Sequence, residues 1–180
     1  MAISEMAPLI VEKAKKIKLL ILDVDGVLTD GKLFFDNQGN EYKSFHAQDG
    51  HGIKLLRQTG VEIAVISGRK SPVVELRMNN LGIRHVYQGH EDKRAAFAEI
   101  IAKMALSVEQ AAYVGDDLLD LPIMRRVGLS VAVDDANPIV KHYADWCTPR
   151  CGGQGAVREV CDLIMQAQGH FDDIVNAYLQ

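Results

Sequence analysis

The sequence predicts an α/β protein, a Rossmann-like parallel sheet sandwiched by helices, and three observations carry that expectation. Strand-length apolar runs alternate with segments of helical periodicity, the pattern of a mostly parallel sheet covered on both sides. The first run, Ile17 to Leu22, is broken only by Lys18, as a strand buried on both faces requires. Several runs stop at acidic or hydroxyl residues, on the sheet edge where ligands of such folds bind.

Taken in order, Met1 to Lys16 reads as a short lead-in with helical character that Pro8 breaks early. The first strand ends at Asp23-Val-Asp25-Gly26, and Gly26 and Gly31 allow the backbone to turn sharply there. Lys32 to Phe35, an Asp36-to-Asn40 turn and Glu41 to Phe45 form a β-hairpin flap, residues 32–45. A lone hairpin is too small to be stable by itself, so its four aromatic residues must lean on the domain or on another copy of the chain. His46 to Gly50 then reads as a loop feeding a helix from Ile53 to Gln58 that closes at Gly60. Val61 to Ile66 is the second strand, ending at Ser67-Gly68-Arg69. Ser71 and Pro72 open a helix with Val74, Met78 and Leu81 on one face and Gly82 as its stop. Arg84 to Gln88 is the third strand. The next helix carries Lys93 in its first turn and Phe97, Ile100, Ile101 and Met104 on its core face. Ser107 and Gln110 have capping-box spacing, Ala111 to Val114 is the fourth strand, ending at Gly115-Asp116-Asp117, and Ser130 to Val133 is the fifth. In a C-terminal tail over residues 150–180, Cys151 to Gly155 reads as a flexible loop whose three glycines argue against a tight structural role. Val160, Leu163, Ile164 and Ala167 make one apolar stripe after it, and Phe171, Ile174, Val175 and Tyr178 another.

At 180 residues the chain is expected to be a single domain over 1–180. Twenty basic and 24 acidic residues give a net charge of −4 with no block of like charge, which argues against nucleic acid as a partner and requires any anionic ligand to be held locally. No apolar run approaches the roughly 18 residues of a membrane span, and Met1 to Glu12 lacks the basic-then-apolar pattern of a targeting segment, so a cytoplasmic protein without a membrane partner is expected. Three cysteines, Cys147, Cys151 and Cys161, are odd in number and lack a second pair for a zinc site, and they read as reduced thiols.

The polar strand ends suit one chemistry. Alternation points Asp23 and Asp25 the same way, so the two anions need a cation between them or a shared proton. Around a phosphate monoester, Asp23 can attack phosphorus and Asp25 can protonate the departing alkoxide and later deprotonate water. A hard cation with oxygen preference is required, and magnesium fits best, on Asp23, Asp116 and the backbone carbonyl of Asp25. Ser67 can donate to a phosphoryl oxygen, Lys93 can neutralise its charge, and Asp117 and Asp120 can orient metal waters or Lys93. Alone, Ser67 is an ordinary strand-end hydroxyl and Lys93 a solvated helix residue. Their joint placement at one sheet edge reverses that reading.

Asp23-Val-Asp-Gly-Val-Leu-Thr-Asp30, Ile66-Ser-Gly-Arg69, Lys93 and Gly115-Asp-Asp-Leu-Leu-Asp120 resemble the four motifs of the haloacid dehalogenase superfamily of phosphohydrolases. The resemblance implies the same roles: nucleophile Asp23, acid/base Asp25, phosphate binders Ser67 and Lys93, metal ligand Asp116. The small insertion, His46-Ala-Gln-Asp-Gly50 and Gly152 to Glu159 narrow it to the branch that dephosphorylates an eight-carbon acidic sugar on the way to lipopolysaccharide. That branch implies substrate contacts from His46, Ala47, Gln48, Asp49, Gly50, Lys54, Arg69 and Arg77 besides Asp25 and Lys93. It also implies a homotetramer whose hairpins meet in a central barrel, with residues 152–159 reaching a neighbour's site. Three other readings stay open: a phosphoacceptor signalling module, against which Asp25 argues because it supplies the group for turnover, a catalytically silent subunit, and a phosphatase for a nine-carbon acid sugar.

Overall fold

A computed structural model describes residues 6–180. The first apolar run becomes β1 (Leu19–Leu22), all four residues buried, at the middle of a six-stranded parallel sheet. On one side β1 pairs with β4 (Glu62–Ser67), which pairs with β5 (His85–Gln88). On the other it pairs with β6 (Ala111–Gly115), followed outward by β7 (Leu129–Ala132) and β8 (Trp146–Cys147). The order β5-β4-β1-β6-β7-β8 means that the chain winds one way from β1 and then the other way from β6. The crevice at that reversal lies beyond the C-terminal ends of β1 and β6. The residues that directly follow those ends are Asp23 and Asp116.

Helices cover both faces. They are α1 (Pro8–Ala14), α2 (Ala47–Gln58), α3 (Pro72–Leu81), α4 (Lys93–Met104), α5 (Leu121–Met124), α6 (Pro138–Tyr143), α7 (Ala156–Ala167) and α8 (Phe171–Tyr178). The apolar stripe of α7 packs against α2 and α1, and α4 packs against α5 and β4. Gln110 accepts from the Ser107 N–H at 3.1 Å, closing the capping box before β6. No helix among the described residues is long and apolar enough to cross a membrane.

Four local expectations change. Of the lead-in, residues 1–5 lie outside the described residues, and Pro8 starts α1 at its first position instead of breaking it, because a first-turn N–H has no intrahelical partner to lose. The His46–Gly50 segment is not a loop: His46 is the N-cap of α2 and Ala47 its first residue. β8 extends the sheet by a sixth strand whose two residues are too short for any periodicity, and the brief α5 and α6 were likewise invisible. The glycine loop after Cys151 is the reverse of loose. A side chain on Gly152 would place its Cβ 1.7 Å from the Gly26 carbonyl oxygen, and one on Gly153 would meet the Asp30 nitrogen at 2.5 Å. The Gly153 N–H donates to the Val27 carbonyl at 2.9 Å, so backbone lies on backbone where no side chain fits.

The hairpin, β2 (Phe34–Phe35) and β3 (Glu41–Tyr42), forms a separate two-stranded sheet. Asp36 organises its turn, accepting from the Gln38 and Asn40 N–H groups at 2.9 and 2.8 Å. Phe34, Phe35 and Tyr42 remain 51%, 56% and 57% exposed. Of its aromatic residues only Phe45 packs against the core.

Candidate active site

β1 and β6 lie side by side, with Leu22 level with Val114, so their ends deliver Asp23 and Asp116 to one place. α4 begins at Lys93, with the Asp92 side chain accepting from the Arg94 N–H as its cap. That start aims the lysine inward. Lys93 Nζ donates to Asp23 Oδ1 and to Asp120 Oδ1, each at 2.7 Å, and to the Tyr113 hydroxyl at 3.2 Å. Asp120 Oδ1 also accepts from the Tyr113 hydroxyl at 2.7 Å. Its Oδ2 accepts from the Asp116 and Asp117 N–H groups at 2.9 and 3.1 Å. Asp120 is thus the hub of the cluster, and Asp23, Lys93, Tyr113 and Asp120 are all buried.

The charges are unbalanced. Burial, then repulsion from Asp120, raises the Asp23 carboxyl to about 6 despite the adjacent Lys93. Burial, then Asp23 and Asp120, raises Asp116 to about 8. Burial by itself would lower the Lys93 ammonium, but Asp23 and Asp120 outweigh it and the net shift is upward. Three carboxylates share one lysine, and one oxygen from each of Asp23, Asp116 and Asp120 lies within 4.8 Å of the others. Asp116 Oδ1 is buried without a hydrogen-bond partner. Both Asp120 oxygens are already engaged, so Asp23 and Asp116 are the pair left able to take a divalent cation. The Asp25 carbonyl accepts no backbone hydrogen bond among the described residues, which leaves it available as well.

These groups line a cleft of about 150 Å³ together with Asp25, Ser67, Gly68, Arg69, Asp117 and Leu119. Ser67 ends β4, is buried, and its Oγ accepts from the Arg69 N–H at 3.2 Å. A wider hollow of about 660 Å³ lies at the opposite strand ends around Lys16, Thr59 and Gln168, but no carboxylate cluster faces it. Thr29 braces the turn after β1. Its Oγ1 accepts from the Gly31 N–H at 3.2 Å and donates to the Val24 carbonyl at 3.3 Å.

Of the residues expected at the site, Asp23, Asp25, Ser67, Arg69, Lys93 and Asp116 meet in this cleft. His46, Ala47, Gln48, Asp49, Gly50, Lys54 and Arg77 do not line it. His46 to Gly50 lie at the start of α2, Lys54 further along it and Arg77 on α3. Asp49 Oδ1 accepts from the Arg158 N–H at 2.7 Å in the first turn of α7, and Arg77 sits over the Phe45 ring at 5.7 Å. Gln48 accepts from Arg150 at 3.2 Å, whereas Lys54 is exposed. Two cleft neighbours were missed. Tyr113 stood out only as the one large residue in Ala-Ala-Tyr-Val-Gly, and Lys43 only by alternation, which puts it on the same hairpin face as Glu41.

Residues 82–157 match the family model of haloacid dehalogenase-like hydrolases. The chain is 51% identical over 168 residues to the 3-deoxy-D-manno-octulosonate 8-phosphate phosphatase KdsC of Salmonella typhimurium, covering 93% of this chain and 89% of that protein. The crystal structure of the phosphatase of that name from Yersinia pestis superposes with a TM-score of 0.92 at 48% identity, covering 93% of this chain and 90% of the other. The Moraxella catarrhalis enzyme, solved with a magnesium ion, a phosphate ion and a 3-deoxy-D-manno-octulosonate (KDO) molecule, has a TM-score of 0.92 at 41% identity over 94% and 97% of the two chains.

Proposed function

The chain belongs to the haloacid dehalogenase-like hydrolases, in the family of the 3-deoxy-D-manno-octulosonate 8-phosphate phosphatases, and from that premise we propose that it hydrolyses this sugar phosphate to 3-deoxy-D-manno-octulosonate and inorganic phosphate with magnesium bound. The observation that carries the reading is the buried Asp23 carboxylate, 2.7 Å from Lys93 and beside an Asp116 oxygen that has no partner.

Asp23 attacks phosphorus as the bond to the sugar oxygen breaks, giving an aspartyl-phosphate. Asp25 hands its proton to the departing alkoxide, then takes one from the water that attacks the aspartyl-phosphate, returning Asp23 and releasing phosphate. Ser67 donates to a phosphoryl oxygen, and Lys93, oriented by Asp120, neutralises the charge that builds there. Asp23, Asp116 and the Asp25 carbonyl would hold magnesium, whose charge offsets the crowded carboxylates and phosphoryl oxygens. Arg69 is the cleft cation suited to the sugar carboxylate.

The remaining sugar contacts, His46 to Gly50, Lys54 and Arg77, lie outside this cleft and fit a site shared with a second copy. The proposed assembly is a homotetramer in which the exposed aromatic residues of the hairpins meet. A monomer mass in sedimentation would overturn it. The domain is proposed to be one unit over 1–180, acting in the cytoplasm on the route to lipopolysaccharide.

The test is phosphate release, with magnesium, from a panel of sugar phosphates including eight- and nine-carbon keto acids, for the wild type beside Asp23→Asn. Preference for the eight-carbon acid, lost in the variant, is the expected outcome. Preference for the nine-carbon acid would change the substrate, and activity retained in Asp23→Asn would overturn the mechanism.

A further inference from the structure

The hairpin contributes one buried charge. Lysines on a small exposed sheet ordinarily face water, where they discourage edge pairing. Lys43 does the opposite: its side chain is 1% exposed although the aromatic residues around it are not. Removing an ammonium from water is costly unless carboxylates receive it. Two do. Nζ donates to Asp25 Oδ1 and lies 3.3 Å from Glu41 Oε1. Glu41 in turn accepts from Arg69 Nη2 at 3.1 Å, and Arg69 Nε lies 3.7 Å from Asp25 Oδ2. Asp25, Lys43, Glu41 and Arg69 form a closed ring of alternating sign, half of it supplied by the hairpin and half by the ends of β1 and β4.

The ring treats the two oxygens of Asp25 differently. Oδ1 is hydrogen-bonded to a buried ammonium, whereas Oδ2 has only the longer ion pair with Arg69 Nε at 3.7 Å. A carboxyl on a strand-end turn can rotate about two torsions, and a tie at one oxygen removes that freedom and presents the other. We propose that Lys43 is a positioning residue for the reaction, with the hairpin lysine orienting Asp25 so that its second oxygen, which has no hydrogen bond, serves the leaving group. This rests on the phosphatase reading and on the acid role assigned there to Asp25. Lys43 itself touches neither phosphorus nor the breaking bond.

An alkoxide needs a proton to leave and a nitrophenolate does not, so an acid and whatever positions it are recognised by leaving-group dependence. The experiment measures kcat/KM with magnesium for the eight-carbon sugar phosphate and for p-nitrophenyl phosphate, in wild type, Asp25→Asn, Lys43→Met and Lys43→Arg. kcat/KM reports the steps up to departure of the leaving group, so the later hydrolysis does not intrude. Lys43→Met keeps the aliphatic stem and removes the charge. It is expected to lower the sugar-phosphate value by about tenfold or more and the aryl value by less than about twofold, with Lys43→Arg recovering part of the loss. If Lys43→Met does not fold, Lys43→Gln takes its place in the same comparison. Equal losses on both substrates, or no loss, while Asp25→Asn discriminates between them, overturn the role of Lys43 alone. An Asp25→Asn variant that does not discriminate overturns the acid role of Asp25 and this inference with it.

Discussion

The floor and the roof of the cleft are both built from opposite charges, yet they are held in different ways. In the floor, Lys93 and Asp120 are almost fully buried, and Asp120 accepts four hydrogen bonds from an ammonium, a phenol and two backbone N–H groups. Sheet register and the start of α4 fix every donor. In the roof, Lys43 and Glu41 ride on a two-stranded sheet whose aromatic residues face solvent, and four charges connect it to the domain at the cleft. Breaking such pairs costs most where both partners are shut from water, as Lys93 and Asp120 are; in the roof Lys43 is as buried, but Asp25 and Arg69 stay 19% and 46% exposed, so the floor acts as framework and the roof as a part that can yield.

The largest effect is expected in the floor. Asp120→Asn turns one of two acceptor oxygens into a donor, which must then face either Lys93 or the Asp116 and Asp117 N–H groups. The loss should be about 3–5 kcal/mol of stability, as for breaking a buried ion pair, with turnover reduced as Lys93 is released. Denaturant unfolding and phosphate release check this, and a fully stable, active variant would break the distinction between floor and roof.

Next is the packing that supports the turn after β1. Gly152→Ala sets a Cβ 1.7 Å from the Gly26 oxygen, beside Asp25, and overpacking of this kind costs about 1–3 kcal/mol. A variant of unchanged stability would show that the glycine loop is loose after all.

A third test uses acid and metal. Asp23 and Asp116 are raised to about 6 and about 8, above the ordinary carboxylate range. A carboxyl raised on folding adds stability that is complete below its unfolded value and is lost as pH climbs through the folded one. The metal-free protein should therefore unfold at lower temperature at about pH 8 than at about pH 5, and magnesium should erase the difference. Thermal melts in chelator and in magnesium measure it, and a pH-independent melt without metal would contradict the charge imbalance of the floor.

The smallest effect belongs to the roof. Asp36→Ala removes the acceptor that organises the hairpin turn. It should shift the global melting midpoint by less than about 2 °C while speeding proteolysis within residues 32–45. A large drop in the midpoint would mean that the hairpin is part of the framework.

Much of the floor was legible in sequence because its parts are local. The apolar run to Leu22 stops at Asp23, the run to Val114 stops before Asp116, and Ser67 ends the strand between two helices. Any folded form that buries those runs puts these polar ends at one edge. The standing of Asp120 was only half visible, since its spacing from Asp116 suggests a helper but not an aspartate with every acceptor site filled. Lys43 carried no role in the sequence reading, although the alternation that pairs it with Glu41 was there. The glycines after Cys151 were read as slack because composition cannot distinguish a loop that needs freedom from one that needs closeness.

What the sequence determined by itself is the α/β order of elements, the edge at which the chemistry gathers and the residue types that carry it. These follow from periodicity and from where hydrophobic runs end. Only the tertiary structure decided that Asp120 holds Lys93 across 27 residues, that Lys43 reaches Asp25 across 18, and that Gly152 lies on Gly26. Such contacts join segments far apart in the chain, and their geometry is set by strand register, helix starts and the exclusion of water, none of which a local pattern records.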